Sequence, residues 1–297
     1  MTADITGIIA PVLTPFDESG TLQAEKIADS VEYTLECGCH AVIGSGTGVQ
    51  ETAALGPEER KTVITETIEA VDGEVPVLAG VSYPAQPVVS DLIAHAEREG
   101  ADAVLAMPPW GVEPSDAEII QYFEHIDAET DLPILMYNNP AVTVDMSRGV
   151  METIATEIDG IEYVKESSRD WAKLAWLFER IHHAGVADVF ATMDVLLPTL
   201  QTVGTGVITP APLSKPSMDI YEAFEQGDME RAIATQRTFG DFPPDAAEGG
   251  LIPICKAATE AAGVSVGPPR APYSPLSEEG RRAVEEWMDA VDIPRMD

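Results

Sequence analysis

The sequence predicts an α/β fold, a closed (β/α)8 TIM barrel with a C-terminal helical extension. Eight short apolar segments alternate with amphipathic stretches along the chain, as parallel strands covered by helices do. The length of 297 residues suits such a barrel, which takes about 250 residues. Thr14, Pro15 and Phe16 follow the first segment, whereas an open doubly wound sheet usually has a glycine-rich turn there.

The eight predicted strands are mostly short, continuous apolar runs, a pattern typical of parallel strands that are buried on both faces. Their number and succession favour a closed barrel over an open sheet. They cover residues 7–13, 41–44, 75–79, 103–107, 133–137, 161–164, 189–192 and 206–208.

Amphipathic stretches between these strands predict the covering helices. Ser115 and Asp170 stand where N-caps are expected, and Pro57 stands in a first turn. The stretches cover residues 22–37, 57–71, 87–99, 115–130, 147–158 and 170–183.

The sequence beyond the eighth strand is longer than one helix. We therefore expect a catalytic barrel over residues 1–215 and a helical segment packed on it over residues 216–297. A loop rich in proline and glycine, residues 267–272, interrupts that segment. Its predicted helices cover residues 217–226, 229–239, 252–262 and 278–291.

The chain is strongly acidic, with 51 acidic against 17 basic residues and a net charge of −34. The acids are dispersed, which favours a halophilic cytosol where salt screens their repulsion, although an acidic protein of a low-salt cell is the alternative. Nucleic acid and anionic membranes are poor partners because a basic patch is missing. The chain lacks an apolar run of about 18 residues and a signal-peptide pattern, so we expect a cytoplasmic protein.

The three cysteines, Cys37, Cys39 and Cys255, are too few for a disulfide framework. Cys37 and Cys39 are followed by His40, an arrangement that resembles a metal-binding motif. A second ligand pair at zinc spacing does not follow. We therefore interpret the thiols as buried small hydrophobes, with a metal site as the alternative.

Lysine is informative because reactive groups of a barrel lie at the carboxyl ends of its strands. Only Lys165 directly follows an apolar strand, where burial lowers the pKa of the amine and leaves it free to attack a ketone. A structural lysine paired with an acid is the alternative. The chain has six lysines in all: Lys26, Lys61, Lys165, Lys173, Lys215 and Lys256.

Two further features stand at strand ends. Tyr137 ends the fifth strand, where a phenol can move a proton for a neighbouring lysine, although a tyrosine with a buried ring and a wet hydroxyl is the commoner case. The loop after the second strand, residues 44–52, is rich in glycine and hydroxyl groups. Such a loop can bind a carboxylate or phosphate through converging N–H groups, so it supplies the candidate substrate-binding residues. With Ile208 of the eighth strand, these are Ser45, Gly46, Thr47, Gly48 and Ile208.

These segments together resemble the dihydrodipicolinate synthase and N-acetylneuraminate lyase family over nearly the whole chain. The specific parts are the tyrosine motif at residues 137–140 and the lysine motif at residues 164–168, with weaker likeness at residues 7–16, 46–48, 204–208 and 270–272. The resemblance implies that Lys165 forms a Schiff base with pyruvate or another 2-oxo acid and that Tyr137 is catalytic. It also implies a homotetramer, and neither a metal nor an organic cofactor.

Departures from the family pattern bear on the substrate. Val142 stands where the synthases carry an arginine for the aldehyde's carboxylate, and Gly111 stands where they carry a tyrosine from a neighbouring subunit. The loop at residues 44–51 has one extra residue, which leaves open whether Ser45, Thr47 or Glu51 fills each role of the family's loop. Arg169 replaces the usual glycine after the lysine motif and would bind an acidic substrate or pair with Asp170.

We therefore expect a lyase of the Schiff-base class, an aldolase or a dehydratase, acting on a 2-oxo acid such as a 2-keto-3-deoxy sugar acid. One alternative is 4-hydroxy-tetrahydrodipicolinate synthase, which needs another basic group in place of the missing arginine. A second alternative is a ligand-binding barrel without catalysis.

Overall fold

A computed structural model of the chain describes residues 5–239, 242 and 250–296. Its centre is a closed barrel of eight parallel strands in sequence order, with β1 paired to β8. The predicted fold class is confirmed. The strands are β1 Gly7–Pro11, β2 Ala41–Gly44, β3 Val77–Gly80, β4 Ala103–Ala106, β5 Ile134–Asn138, β6 Ile161–Glu166, β7 Asp188–Ala191 and β8 Gly206–Ile208.

Alternate residues of each strand fill the barrel interior. Ala41 and Ile43 of β2, and Leu135 and Tyr137 of β5, belong to one buried cluster. Intervening residues such as Met136 pack against the surrounding helices in a larger cluster. Because side chains alternate along a strand, this pattern fixes which residues can reach the mouth of the barrel from within.

The helices follow the predicted alternation closely. Ser115 accepts a hydrogen bond from Glu118 N, and Asp170 from Ala172 N and Lys173 N, so both are N-caps as predicted. The helices are α1 Ile27–Glu36, α2 Pro57–Val71, α3 Gln86–Glu99, α4 Asp116–Glu129, α5 Arg148–Glu157, α6 Trp171–Leu177, α7 Leu196–Gln201, α8 Ser214–Glu225, α9 Met229–Thr238, α10 Leu251–Ala261 and α11 Glu278–Ala290.

Two local differences from the prediction matter for the site. Strand β6 continues to Glu166, so Lys165 lies within the strand. Helix α7 was not predicted, because Pro198 interrupts its short apolar sequence. A 3-10 turn, Met193–Val195, precedes α7 and lies at the mouth of the barrel.

The C-terminal residues pack on the barrel as helices α8 to α11. Helix α8 packs beside β1 and begins before the predicted boundary after residue 215. The division into residues 1–215 and 216–297 stays a prediction, and parts of both ranges lie outside the described residues. Within the described part of the chain, every helix is too short or too polar to cross a membrane.

Candidate active site

Lys165 lies inside the barrel near its carboxyl end. It is two residues beyond the interior residue Tyr163 on β6, and in the sheet register it is paired with Tyr137 of β5 and Phe190 of β7. Its side chain is 1% exposed. The amine donates a hydrogen bond to the carbonyl oxygen of Ala191.

Lys165 differs from the other buried lysines of the described residues, Lys173 and Lys256, in that each of those has a carboxylate partner. Lys173 Nζ lies 2.5 Å from Asp145 Oδ1, and Lys256 Nζ lies 3.0 Å from Glu51 Oε1. Within the described residues, Lys165 has no carboxylate at ion-pairing distance. Burial therefore lowers its pKa to about 7, although Glu166 and Asp194 oppose the shift.

Glu166, which follows Lys165, is held on the outer side of the barrel. It is buried and accepts hydrogen bonds from Asn138 Nδ2 at 3.0 Å and from Ser168 N at 2.5 Å. Lys173 Nζ lies 3.7 Å from its Oε2. This network fixes the end of β6 and keeps the carboxylate of Glu166 engaged away from the Lys165 amine.

Tyr137 is the neighbour of Lys165 across the sheet. Its hydroxyl accepts hydrogen bonds from Asn139 Nδ2 at 3.0 Å and from Ser167 Oγ at 3.4 Å. Burial raises the pKa of the phenol, while these two hydrogen bonds act in the opposite direction. The phenol therefore rests in its protonated form beside an amine that is half neutral near pH 7.

The loop after β2 is organised by Gln50, which is fully buried. Its Oε1 accepts from Gly46 N at 2.8 Å, Thr47 N at 3.0 Å and Thr47 Oγ1 at 3.3 Å. Its Nε2 donates to Val12 O and Ile43 O. Sequence reasoning missed this residue, because a glutamine in a glycine-rich loop carries no pattern that marks it as the centre of the loop.

The candidate binding residues divide into two groups. Thr47, Gly48 and Ile208 line the cavity at the mouth of the barrel. Ser45 and Gly46 do not line it. The hydroxyl of Ser45 accepts a hydrogen bond from Nε of the buried Arg60. Ser45 therefore supports the structure of the barrel rim and not the cavity wall.

The carboxylate site predicted for the glycine-rich loop is partly occupied by a side chain of the same loop, Gln50. The N–H groups of Gly46 and Thr47 are used by Gln50. The next residues, Gly48 and Val49, open the 3-10 turn Gly48–Gln50. The first N–H groups of a helical turn lack a partner within it, so they are the donors this loop can offer a ligand.

The cavity has a volume of about 690 Å³, within the range of small-molecule sites. Thr47, Ile208 and Tyr137, which is paired with Lys165 in the sheet register, line it, and Val142 adds an apolar side. A side chain at Gly48 would come within 3.3 Å of Val142 Cγ2, so the glycine permits this close approach. Charged groups among the described lining residues are confined to Arg169 and Asp194.

The C-terminal extension also contributes to this cavity, which the sequence did not reveal. Gly250, Leu251, Ile252 and Tyr273 belong to its wall. The loop before Tyr273 is joined to the β2 loop, since Arg270 N donates to Glu51 Oε2 at 2.6 Å.

Arg169 does not pair with Asp170, which was one of the two roles expected for it. Its Nε lies 3.3 Å from Asp194 Oδ2, whereas Asp170 is occupied as the cap of α6. The backbone of Arg169 has a φ of +59°, the left-handed conformation that favours glycine. The chain therefore keeps an arginine at the cavity where a glycine would be less strained.

Comparison with known proteins identifies relatives along nearly the whole chain. Residues 4–291 match the model of the dihydrodipicolinate synthetase family. A DapA-like lyase of Halobacterium salinarum is 31% identical over 292 residues, which is 97% of this chain and 93% of the relative. A 4-hydroxy-tetrahydrodipicolinate synthase of Methanoculleus marisnigri is 30% identical over 284 residues, 92% of this chain and 94% of the relative.

Solved structures show the same architecture. The crystal structure of YagE from Escherichia coli K12, a prophage protein of the dihydrodipicolinic acid synthase family in complex with pyruvate, has a TM-score of 0.89 and 27% identity. The match covers 98% of this chain and all of YagE.

Proposed function

We propose that this chain, which belongs to the dihydrodipicolinate synthetase family and is therefore a class I lyase, forms its Schiff base at Lys165 and cleaves a 2-keto-3-deoxy sugar acid or a related hydroxy-2-oxo acid. The observation that carries the proposal is the unbalanced burial of the Lys165 amine. Its pKa of about 7 leaves half of the amine neutral at pH 7. Lys173 and Lys256, in contrast, are each held by a carboxylate.

The chemistry follows from the neutral amine. Lys165 Nζ turns from the Ala191 carbonyl and attacks the C2 carbonyl of the substrate, and loss of water from the carbinolamine gives an iminium. The iminium accepts the electron pair of the C3–C4 bond when the C4 hydroxyl loses its proton, which releases an aldehyde and leaves an enamine. Protonation of the enamine and attack by water then release pyruvate and restore the amine.

Tyr137 is the proton carrier for these steps. Its raised pKa keeps the phenol protonated at rest, so it first donates a proton to the departing carbinolamine hydroxyl. The phenolate that results accepts the proton of the C4 hydroxyl as the carbon–carbon bond breaks. Hydrogen bonds from Asn139 and Ser167 to the tyrosine oxygen favour that phenolate.

The carboxylate of the 2-oxo acid binds at the β2 loop. Thr47 and Gly48 line the cavity there, and the N–H groups of Gly48 and Val49 are the available donors. Ile208 covers the apolar side of the pyruvoyl group from β8. Ser45 and Gly46, which do not line the cavity, hold this loop in place through their hydrogen bonds with Arg60 and Gln50.

The sugar-acid substrate is supported by two observations. Val142 makes the cavity apolar where an acidic aldehyde would need a cation. YagE is a candidate 2-dehydro-3-deoxy-D-gluconate aldolase, and it is 30% identical to this chain over 243 residues, which is 80% of this chain. For 4-hydroxy-tetrahydrodipicolinate synthase, the activity named for other relatives, Arg169 would have to supply the missing cation, and the adjacent carboxylate of Asp194 offsets its charge toward a second carboxylate.

The test is trapping of the Schiff base. Incubation with pyruvate and borohydride in molar salt is expected to add one reduced pyruvate to the protein, at Lys165 in the peptide map. The variant Lys165→Met loses the adduct. Lys215→Met is the matched control, because Lys215 is a partly exposed lysine paired with Asp219. A wild-type chain that gives no adduct contradicts the proposal.

The reaction is then identified by rate. Pyruvate release from a panel of sugar acids is compared with condensation of pyruvate and aspartate semialdehyde in the same salt. We expect cleavage to be faster. Condensation that exceeds every cleavage rate assigns the synthase activity instead.

We also propose that the protein acts in the cytoplasm as a homotetramer, as the resemblance implies. Apolar side chains remain exposed on the separate chain, including Val112 and Val203, and burial between subunits would remove them from water. Light scattering in molar salt measures the oligomer, and a monomer at micromolar concentration contradicts this state.

A further inference from the structure

A second, smaller cavity lies beside the active cavity. It has a volume of about 210 Å³ and shares Arg169, Thr192 and Asp194 with the larger one. The start of α6 and the 3-10 turn before α7 enclose it. Its lining residues are Glu166, Arg169, Asp170, Trp171, Leu174, Thr192, Asp194 and Val195. We name it the side chamber.

The guanidinium of Arg169 is available at the junction of the two cavities. Its side chain is 74% exposed, and Nε lies 3.3 Å from Asp194 Oδ2. Among the described residues, no hydrogen bond occupies its two terminal nitrogens. A non-glycine residue in the left-handed conformation is strained, and such strain is concentrated at functional positions.

The charges of the side chamber disfavour an anionic ligand. Arg169 is its single cation among the described residues, against the carboxylates of Glu166, Asp170 and Asp194. Lys173 lies close enough to offset Glu166, which leaves two carboxylates and one guanidinium. A further carboxylate in this space would meet net repulsion, whereas a hydroxyl can donate to Asp194 and accept from Arg169.

The remaining surface suits a carbon chain that bears hydroxyl groups. Trp171 is 45% exposed and lines the chamber together with Leu174 and Val195. An aromatic face left open to solvent in a chamber of mixed polarity can cover the C–H side of such a chain, while the polar groups bind its hydroxyls.

We infer that the side chamber is the subsite for the uncharged, hydroxylated tail of the 2-oxo acid, with Asp194 and Arg169 binding neighbouring hydroxyls and Trp171 covering the carbon chain. The inference rests on the proposed function, since it assumes that the keto acid is held at Lys165. It makes Arg169 a specificity-determining residue.

The experiment compares two substrates in two variants. One substrate is a six-carbon 2-keto-3-deoxy sugar acid, and the other is a 4-hydroxy-2-oxo acid whose tail is a methyl group. Arg169→Gly is the informative change, because glycine relieves the left-handed backbone and so preserves folding. We expect kcat/KM for the sugar acid to fall about 10- to 100-fold relative to the methyl substrate, the effect of losing a hydrogen bond to a charged group. Trp171→Ala is expected to lower the same ratio.

Arg180→Ala is the matched control, since Arg180 forms an exposed ion pair with Glu152 away from both cavities. Equal losses for both substrates, or no loss, overturn the inference. So does a loss of condensation with aspartate semialdehyde that spares sugar-acid cleavage, because Arg169 would then bind a carboxylate. A wild-type chain without a pyruvate adduct refutes the proposed function itself, which distinguishes the two failures.

Discussion

Replacing Lys165 with methionine is expected to stabilise the fold while it abolishes the reaction. The unfolded chain holds a lysine with its ordinary pKa of 10.5, and the folded chain holds one at about 7. Between these values the unfolded state binds more protons, so stability rises with pH across that window. The penalty of burying the amine is full below pH 7 and disappears as pH rises through 10.5.

The magnitude follows from the same two values. The penalty is about 4 kcal/mol at pH 7 and about 1.5 kcal/mol at pH 9.5. Methionine has a similar length but leaves the Ala191 carbonyl without its donor, which costs about 1 kcal/mol. Lys165→Met is therefore expected to gain about 3 kcal/mol at pH 7 and less than about 1 kcal/mol at pH 9.5.

Urea denaturation in molar salt at the two pH values measures this difference. Lys215→Met serves as the control, because a partly exposed lysine with an acidic partner contributes little at either pH. If Lys165→Met is destabilising at pH 7, or if its effect is the same at both pH values, then the amine is not the uncompensated buried charge on which the reasoning depends.

Three further predictions concern the surroundings of the amine. Tyr137→Phe is expected to lower kcat about 10²- to 10⁴-fold, the usual contribution of a proton-transfer group, with an unchanged circular dichroism spectrum. Gln50→Leu leaves the N–H groups of Gly46 and Thr47 and the carbonyl of Val12 without these partners, while Ile43 O keeps its bond from Val12 N. The change is expected to cost about 3 kcal/mol in urea denaturation and to raise KM for the keto acid. Lys256→Met leaves the buried Glu51 without its cation and is expected to cost about 3–5 kcal/mol of stability. The loss grows as pH rises above 4.5, because burial raises the pKa of Glu51 in the folded chain, whereas Glu51 of the unfolded chain ionises at its ordinary pKa. The double change with Glu51→Gln is expected to recover most of that loss, and a double variant as unstable as the single one would contradict this account.

The site residues that could be predicted from the sequence are those whose positions depend on a single strand. Lys165 and Tyr137 were found because strand ends follow from apolar patterns and barrels place reactive groups there. Their pairing across the sheet follows from the register of β5 and β6. The predicted fold, family and enzyme class are confirmed, whereas the individual roles of the site residues stay predictions.

The parts that sequence did not predict depend on contacts between distant segments. Gln50 binds the carbonyls of Val12 and Ile43, and a glutamine carries no local signal of such partners. The wall formed by Leu251 and Tyr273 requires the chain to return to the barrel mouth after α9, a path that periodicity does not encode. The sequence left Arg169 open between an acidic ligand and Asp170. Its ion-pair partner in the structure is Asp194, 25 positions along the chain on the next loop, and its contact with a ligand stays a prediction.

The excess acidic residues lie mainly at the surface of the described structure. Among the described residues, Glu51 and Glu166 are the buried acids, and each lies near a buried lysine. The remaining described carboxylates are at least partly exposed, as the dispersed sequence pattern predicted. We therefore expect salt dependence to arise at the surface. Among the described residues, Lys165 is the buried lysine without a carboxylate partner, while the buried Arg60 donates to the carbonyls of Ser45 and Gly80.

The ion pair between Glu51 and Lys256 has a consequence for how this enzyme can diverge. Glu51 follows the loop that would hold the keto acid, and Lys256 belongs to helix α10, more than 200 positions later. Recombination between relatives anywhere between these two positions separates the anion from its cation unless both parents carry the pair. Chimeras that exchange only the end of the chain are thus expected to inherit a new substrate wall and a folding defect together, unless the two charges are transferred as one unit.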